Sequence, residues 1–330
     1  MKKRIAIIGG YGLVGGKIAQ HLVADQEGLD LVLVGRDPEK GNDLAKKLGA
    51  HTFKADLADA ASIHAAVEGA DLVIGAVKDS ELLVLSAAIA AKAAFVSITS
   101  GANEPGPVFA HVLQAKPVRP VALLPYWMAG PLTWVTLSVA KSLDNVDRVQ
   151  MAALYDYADP IGPMTIADSE SFGEGTALFR KNGIWTRGVA GQVAIRVDQD
   201  GAEPFDAQLL DALDVSSVAA ATSARNVAFY LGSGDSVGTR NGGSASVDMY
   251  VEIDGQKDGR PVRTRTSIVD PLGQANLTAL GALIVCERVL GLDAAPVPLG
   301  GLWLPETLVD AATAVNRLQK KGVDISTVSL

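Results

Sequence analysis

A single cysteine, Cys286, in 330 residues leaves no partner for a disulfide. Such a chain needs no oxidising compartment, and a reducing cytoplasm is its expected location. Histidine is scarce too: the four present are scattered, with no paired His or Cys spacing, so no metal centre is expected. Basic charge is outweighed, 29 Lys and Arg against 37 Asp and Glu, and Lys2-Lys3-Arg4 is the one basic run. That balance argues against a nucleic-acid partner. No signal segment is expected either, because the apolar run from Ile5 is short and reads as part of the fold. Residues 120–140 lack charge and are long enough for a membrane span, but Pro125, Gly130 and Pro131 interrupt them. They read as a buried strand, a loop and a helix opening at Pro131, so no membrane partner is expected.

What is present is concentrated at the start. An apolar strand, Ile5 to Ile8, runs into Gly10-Tyr11-Gly12-Leu13-Val14-Gly15 and then directly into a helical pattern. Gly10 is expected to turn the chain out of the strand, Gly12 to let backbone approach a pyrophosphate, and Gly15 to let helix pack against sheet. The helix N-terminus offers unpaired N–H groups to the phosphates. In this strand-to-helix context the six residues are candidate dinucleotide ligands. A second strand, 29–34, ends in Gly35-Arg36-Asp37. An acidic residue at that tip would select NAD by holding the ribose hydroxyls. Gly35 removes the carboxylate and Arg36 supplies a fork suited to a 2′-phosphate, so NADP is favoured, with NAD as the alternative through Asp37.

Strands are expected at 4–8, 29–34, 51–55, 71–77, 94–98 and 121–124, with helices between them. This alternation predicts βαβ units and a parallel, Rossmann-type sheet covered on both faces. The loops at its carboxyl ends share one rim: Gly10–Gly15, 35–37, Asp56-Leu57, Ala76-Val77-Lys78 and 99–104. Asp56 and Leu57 suit adenine; Ala76, Val77 and Lys78 suit the second phosphate, its ribose or the nicotinamide. Beyond Pro131 the pattern changes to long alternating stretches at 148–155, 189–197, 246–253 and 261–269, which predict a mixed or antiparallel sheet. Two apolar helices close the chain, near 275–290 and 306–320, and are expected to return to the first domain. The expected organisation is a dinucleotide-binding domain over 1–130, an inserted α+β substrate domain over 131–272, and C-terminal helices over 273–330.

The sequence resembles the saccharopine dehydrogenase-like oxidoreductases. The resemblance lies in Gly35-Arg36-Asp37-Pro38-Glu39-Lys40, in Ala129-Gly130-Pro131-Leu132 opening a helix, in a glycine-bearing hairpin over 251–264, and in Trp303-Leu304-Pro305-Glu306. It implies a Rossmann domain with an inserted α+β substrate and dimerisation domain, NAD(P) use and a homodimer. Phe95-Val96-Ser97 stands where family members commonly carry Tyr-x-Asp, and Pro131-Leu132 where Pro-Gly-Leu is usual. The missing carboxylate points away from saccharopine itself as the substrate.

For proton transfer, no histidine follows a strand end, and no tyrosine has a lysine four residues later, which removes the short-chain-dehydrogenase pair. Lys78, after an apolar strand, is the candidate acid–base group, since partial desolvation would lower its pKa. Tyr126 is the second catalytic candidate. Trp127, Tyr155, Asp156 and Arg240 are candidate substrate contacts, with Arg180 and Arg225 as further carboxylate readers. Three functions fit: an NADP-dependent oxidoreductase acting on a C=N or C–N bond of an amino-acid-like small molecule, a trans-acting enoyl or carbonyl reductase on a hydrophobic substrate, and a non-catalytic NADP redox sensor.

Overall fold

A computed structural model describes residues 2–98, 105–163, 165–166, 175–191, 194–199 and 201–330. The 99–104 loop expected on the rim, and residues 164 and 167–174, lie outside them. The chain divides into two compact units, Met1–Pro125 with Thr278–Val309, and Tyr126–Leu277 with Asp310–Leu330.

The first unit alternates strand and helix: β1 (Lys3–Ile8), α1 (Leu13–Asp25), β2 (Leu29–Gly35), α2 (Asn42–Leu48), β3 (His51–Lys54), α3 (Ala60–Val67), β4 (Leu72–Gly75), α4 (Leu83–Ala90), β5 (Ala94–Ser97), α5 (Pro105–Ala115) and β6 (Pro120–Leu123). Ile5 to Ile8, Leu31 to Val34 and Leu72 to Ile74 are buried throughout, as strands covered on both faces must be. All pairings are parallel, in the order β6-β5-β4-β1-β2-β3. This is the Rossmann arrangement, and its strand order reverses between β1 and β4, where such sheets bind ligands. A seventh strand, Gly301–Trp303, joins beyond β6. It is three residues long, too short for alternation to announce it. Cys286 is fully buried in a helix, Gln274–Leu290, and burial pushes its thiol pKa up.

The second unit opens with α6 (Pro131–Ala140), whose first residue is the expected proline. It continues through β7 (Asn145–Tyr155), β8 (Thr176–Lys181), β9 (Ile184–Val189), β10 (Ala194–Gln199), β11 (Ala202–Leu209), α7 (Leu213–Thr222), β12 (Asn226–Ser233), α8 (Val237–Arg240), β13 (Val247–Lys257) and β14 (Arg260–Asp270). These strands and a last one, Asp324–Ser329, form a mixed nine-stranded sheet in which β7 and β12 pair in parallel. The single strand expected over 189–197 is instead the end of β9 and the start of β10. The hairpin expected over 251–264 is β13–β14, turning through Asp258 and Gly259. Met249, Val251 and Ile253 are buried on one face of β13. Tyr250 on the opposite face packs with Ala152, Leu154, Val197 and Phe205.

The C-terminal residues, expected together against the first domain, divide between the two units. Thr278–Val309 belongs to the first unit, but the helix Ala311–Lys320 and the last strand belong to the second. That helix packs on α6, Lys141 pairs with Asp310 at its N-cap, and the last strand pairs with β14.

Candidate functional site

The loop leaving β1 is shaped by positions that accept no side chain. Gly9 has φ of +82°, and a Cβ there would lie 2.8 Å from Ala76 O and from Val77 Cγ1. The turn out of the strand is therefore made at Gly9 rather than at Gly10. Gly10 is confined for another reason, since its Cβ would lie 2.7 Å from Ile7 O and 2.9 Å from the Leu33 backbone. A Cβ on Gly15 would overlap Gly9 O and lie 2.9 Å from Gly9 C. Gly15 thus lets α1 press on the loop, as its motif position implies. Gly12, the N-cap of α1, has only Gly9 O within reach, at 3.1 Å, and makes no side-chain cap. Its surroundings leave the helix N-terminus open to a phosphate. Leu13 and Val14 begin that helix.

The rim continues on either side of the switch point. Ala76 N–H donates to Ile8 O at 2.9 Å, joining the β1 and β4 loops. Lys78 follows on that loop and is exposed, so burial does not desolvate it. Its neighbour Asp79 is buried and accepts the N–H groups of Leu83, Val84 and Leu85 at 2.8, 2.9 and 3.2 Å. Burial lifts the Asp79 carboxyl above the usual range against these three bonds. Asp79 fixes the loop that carries Lys78, a role no capping pattern announces because Asp79 lies three residues before the N-cap, Leu82. Asp56 is exposed and accepts from Ala58 N–H at 3.0 Å, while Leu57 packs against the core.

At the β2 tip, Arg36 is exposed and has no ion pair among the described residues. Asp37 pairs with Lys40 at 3.4 Å. Tyr11 reaches back over this tip: its phenol oxygen accepts the Asp37 N–H at 2.9 Å. A Cβ on Gly35 would lie 2.5 Å from Tyr11 Cζ, and one on Gly41 2.6 Å from Tyr11 Cδ1. The cradle, the open helix N-terminus and the uncommitted Arg36 together fit a dinucleotide.

Comparison with known proteins agrees. Residues 9–107 match a family model described as NAD(P)H-binding. The apo histidine-tagged saccharopine dehydrogenase (L-Glu forming) from Saccharomyces cerevisiae aligns at a TM-score of 0.77 and 11% identity, over 99% of this chain and 100% of that one. The chain has the saccharopine dehydrogenase fold. GenD2 from gentamicin A biosynthesis, in complex with NAD, is similar at a TM-score of 0.48 and 15% identity, over 100% of this chain and 96% of that one. No curated protein matches. An NAD(P)H-binding stretch is thus carried on the saccharopine dehydrogenase fold. Among the described residues, no helix is long and apolar enough to cross a membrane, and no group of three or more metal-ligating side chains occurs.

The second unit of this fold holds the remaining candidates. Tyr126 is buried, with its phenol 2.6 Å from Ser217 Oγ. The Trp127 ring packs at a tilt against Phe229, centroids 5.4 Å apart, and its backbone N–H donates to Asp214 at 2.9 Å. Asp214 is fully buried and also accepts from Thr133 Oγ1 at 2.7 Å, so one carboxylate ties α7 to both ends of the turn into α6. Within that turn Met128, Ala129 and Gly130 all have positive φ, at 54°, 62° and 112°. Left-handed backbone at two non-glycine residues is strain that the surrounding bonds must hold.

Asp156 is already engaged. It accepts from Ala158 N–H, Ser236 N–H and Thr239 Oγ1 at 2.9, 2.9 and 2.5 Å. Burial alone would raise its pKa, but the bonds from Thr239 and Ser236 outweigh burial and hold it at about 2. Its two oxygens thus accept three bonds from the chain itself. Tyr155 meets Tyr157 edge-on at 5.1 Å. Arg240 donates to Gln199 and to Asp235 O, and Arg180 lies over the Trp185 ring.

Proposed function

We propose that the chain is an NADP-dependent oxidoreductase moving hydride to or from a C=N or C–N bond of an amino-acid-like substrate. The observation that supports this most is the end-to-end fold match with a saccharopine dehydrogenase named as L-Glu forming. When bound, the nicotinamide supplies or takes up the hydride. Gly10, Tyr11, Gly12, Leu13, Val14 and Gly15 would hold the pyrophosphate end, with Asp56, Leu57, Ala76 and Val77 along the rim. Arg36 would grip the 2′-phosphate with its planar fork. Lys78 would move the proton at its Nζ, and the Tyr126 phenol, paired with Ser217, is the other proton carrier. Trp127, Tyr155 and Arg240 would contact substrate; Asp156 is assigned to holding its own loop. The lone buried thiol suits a reducing cytoplasm, and the family resemblance adds a homodimer.

The test is the near-ultraviolet absorbance of reduced nicotinamide, with NADP+ and then NAD+, across amino acids, diamines and opine-like secondary amines. Reduction of NADP+ by one of these is expected and names the substrate class. Silence across the panel, with NADPH binding demonstrated separately, would shift the assignment to an enoyl reductase or a sensor. Arg36→Ala should weaken NADPH by about 1.5–3 kcal/mol, the worth of a charged hydrogen bond, and leave NADH nearly unchanged.

A further inference from the structure

Gly35 sits where a dinucleotide fold places the acidic residue that reads the ribose hydroxyls. Its lack of a side chain has a local cause. A Cβ at that position would meet the Tyr11 phenol, lying 2.5 Å from Cζ, so a side chain at the tip requires the ring, with its bond to Asp37, to swing aside. The same ring closes over Gly41. Its oxygen accepts the Asp37 N–H at 2.9 Å, holding the backbone immediately after Arg36. Asp37, the remaining candidate for the ribose, is engaged at both ends: its N–H by Tyr11 and its carboxylate by Lys40 at 3.4 Å.

We propose that Tyr11 determines cofactor choice: it bars an acidic side chain from position 35 and sets the turn that presents Arg36 to a 2′-phosphate. It is a positioning residue, acting through Arg36 and through the space over Gly35. The proposal rests on the NADP reading above. One tyrosine in the glycine loop thereby couples the pyrophosphate end of the site to the ribose end.

Titration calorimetry of the full chain with NADPH and with NADH tests it without turnover. Tyr11→Phe keeps the ring over Gly35 and Gly41 and deletes one hydrogen bond. It should weaken NADPH about fivefold, as one lost hydrogen bond does, and leave NADH unchanged. In an Arg36→Ala background the same substitution should add nothing. Gly35→Asp alone, colliding with Tyr11, should bind both cofactors poorly, whereas Tyr11→Ala with Gly35→Asp should prefer NADH. Equal weakening of both cofactors by Tyr11→Phe, or an undiminished effect without Arg36, overturns the positioning role. Tight NADH binding by Gly35→Asp with Tyr11 in place overturns the steric one. Failure of the NADP reading looks different: Arg36→Ala weakens both cofactors alike while the contrast between the two Gly35→Asp chains persists.

Discussion

Asp156 shows how a buried carboxylate is kept charged. Its three donors come from Ala158 two residues away and from Ser236 and Thr239 some eighty residues on. Because the folded pKa is about 2 against an ordinary 3.8, the charged form is favoured by folding. The stabilisation is complete above pH ~4 and disappears as pH falls through about 2. A shift of that size corresponds to about 2 kcal/mol. Asp156→Asn should therefore lower unfolding stability by about 2 kcal/mol at neutral pH, and the gap to the parent should close as the pH falls towards 2. Urea melts at stepped pH would show it. A gap that stayed constant across that window would mean the carboxylate's charge contributes nothing.

The β1–α1 element makes a sharper prediction, because its glycines are constrained in different ways. Gly15→Ala would drive a methyl into the Gly9 carbonyl and push α1 off the loop. Overpacking of that kind costs about 1–3 kcal/mol, so the variant should melt well below the parent. Gly12→Ala meets only Gly9 O, at 3.1 Å, and should lose less stability than Gly15→Ala while binding NADPH at least about tenfold more weakly, since its methyl stands where a phosphate must approach. If Gly12→Ala bound NADPH normally, the open helix end would not be the phosphate site. This element was legible in the sequence because a glycine motif between strand and helix encodes backbone geometry directly. Gly9 as the turn residue was not, since a neighbouring pair of glycines conceals which one takes positive φ. Tyr11's reach across Gly35 was invisible for a different reason: the motif leaves that position free. The roles of Asp156 and Asp214 depend on partners distant in sequence, which no local pattern contains. The strand at Gly301–Trp303 and the break between β9 and β10 are short features that periodicity does not resolve.

Across the whole molecule, the sequence divides the chain into a domain, an insertion and a return, but the return is itself divided. Apolar periodicity marks 306–320 as a helix without saying which core receives it, and the structure breaks that stretch after Leu308 and resumes it as Ala311–Lys320. The deciding features are long-range: the Asp310–Lys141 pair, the packing on α6 beside Val135 and Val139, and the pairing of the last strand with β14. Leu318 on this helix is fully buried, and Leu318→Ala should cost about 2–5 kcal/mol, the usual price of a core cavity. Where that loss falls is the informative part. Hydrogen exchange should quicken in α6, β14 and the last strand and stay unchanged in β1, β2 and β4, because opening follows cooperative units. Faster exchange in β1 and β4 instead would mean that this helix braces the cofactor sheet. With the expected pattern, a destabilised second unit should leave NADPH affinity intact, since every residue assigned to the dinucleotide lies in Met1–Pro125.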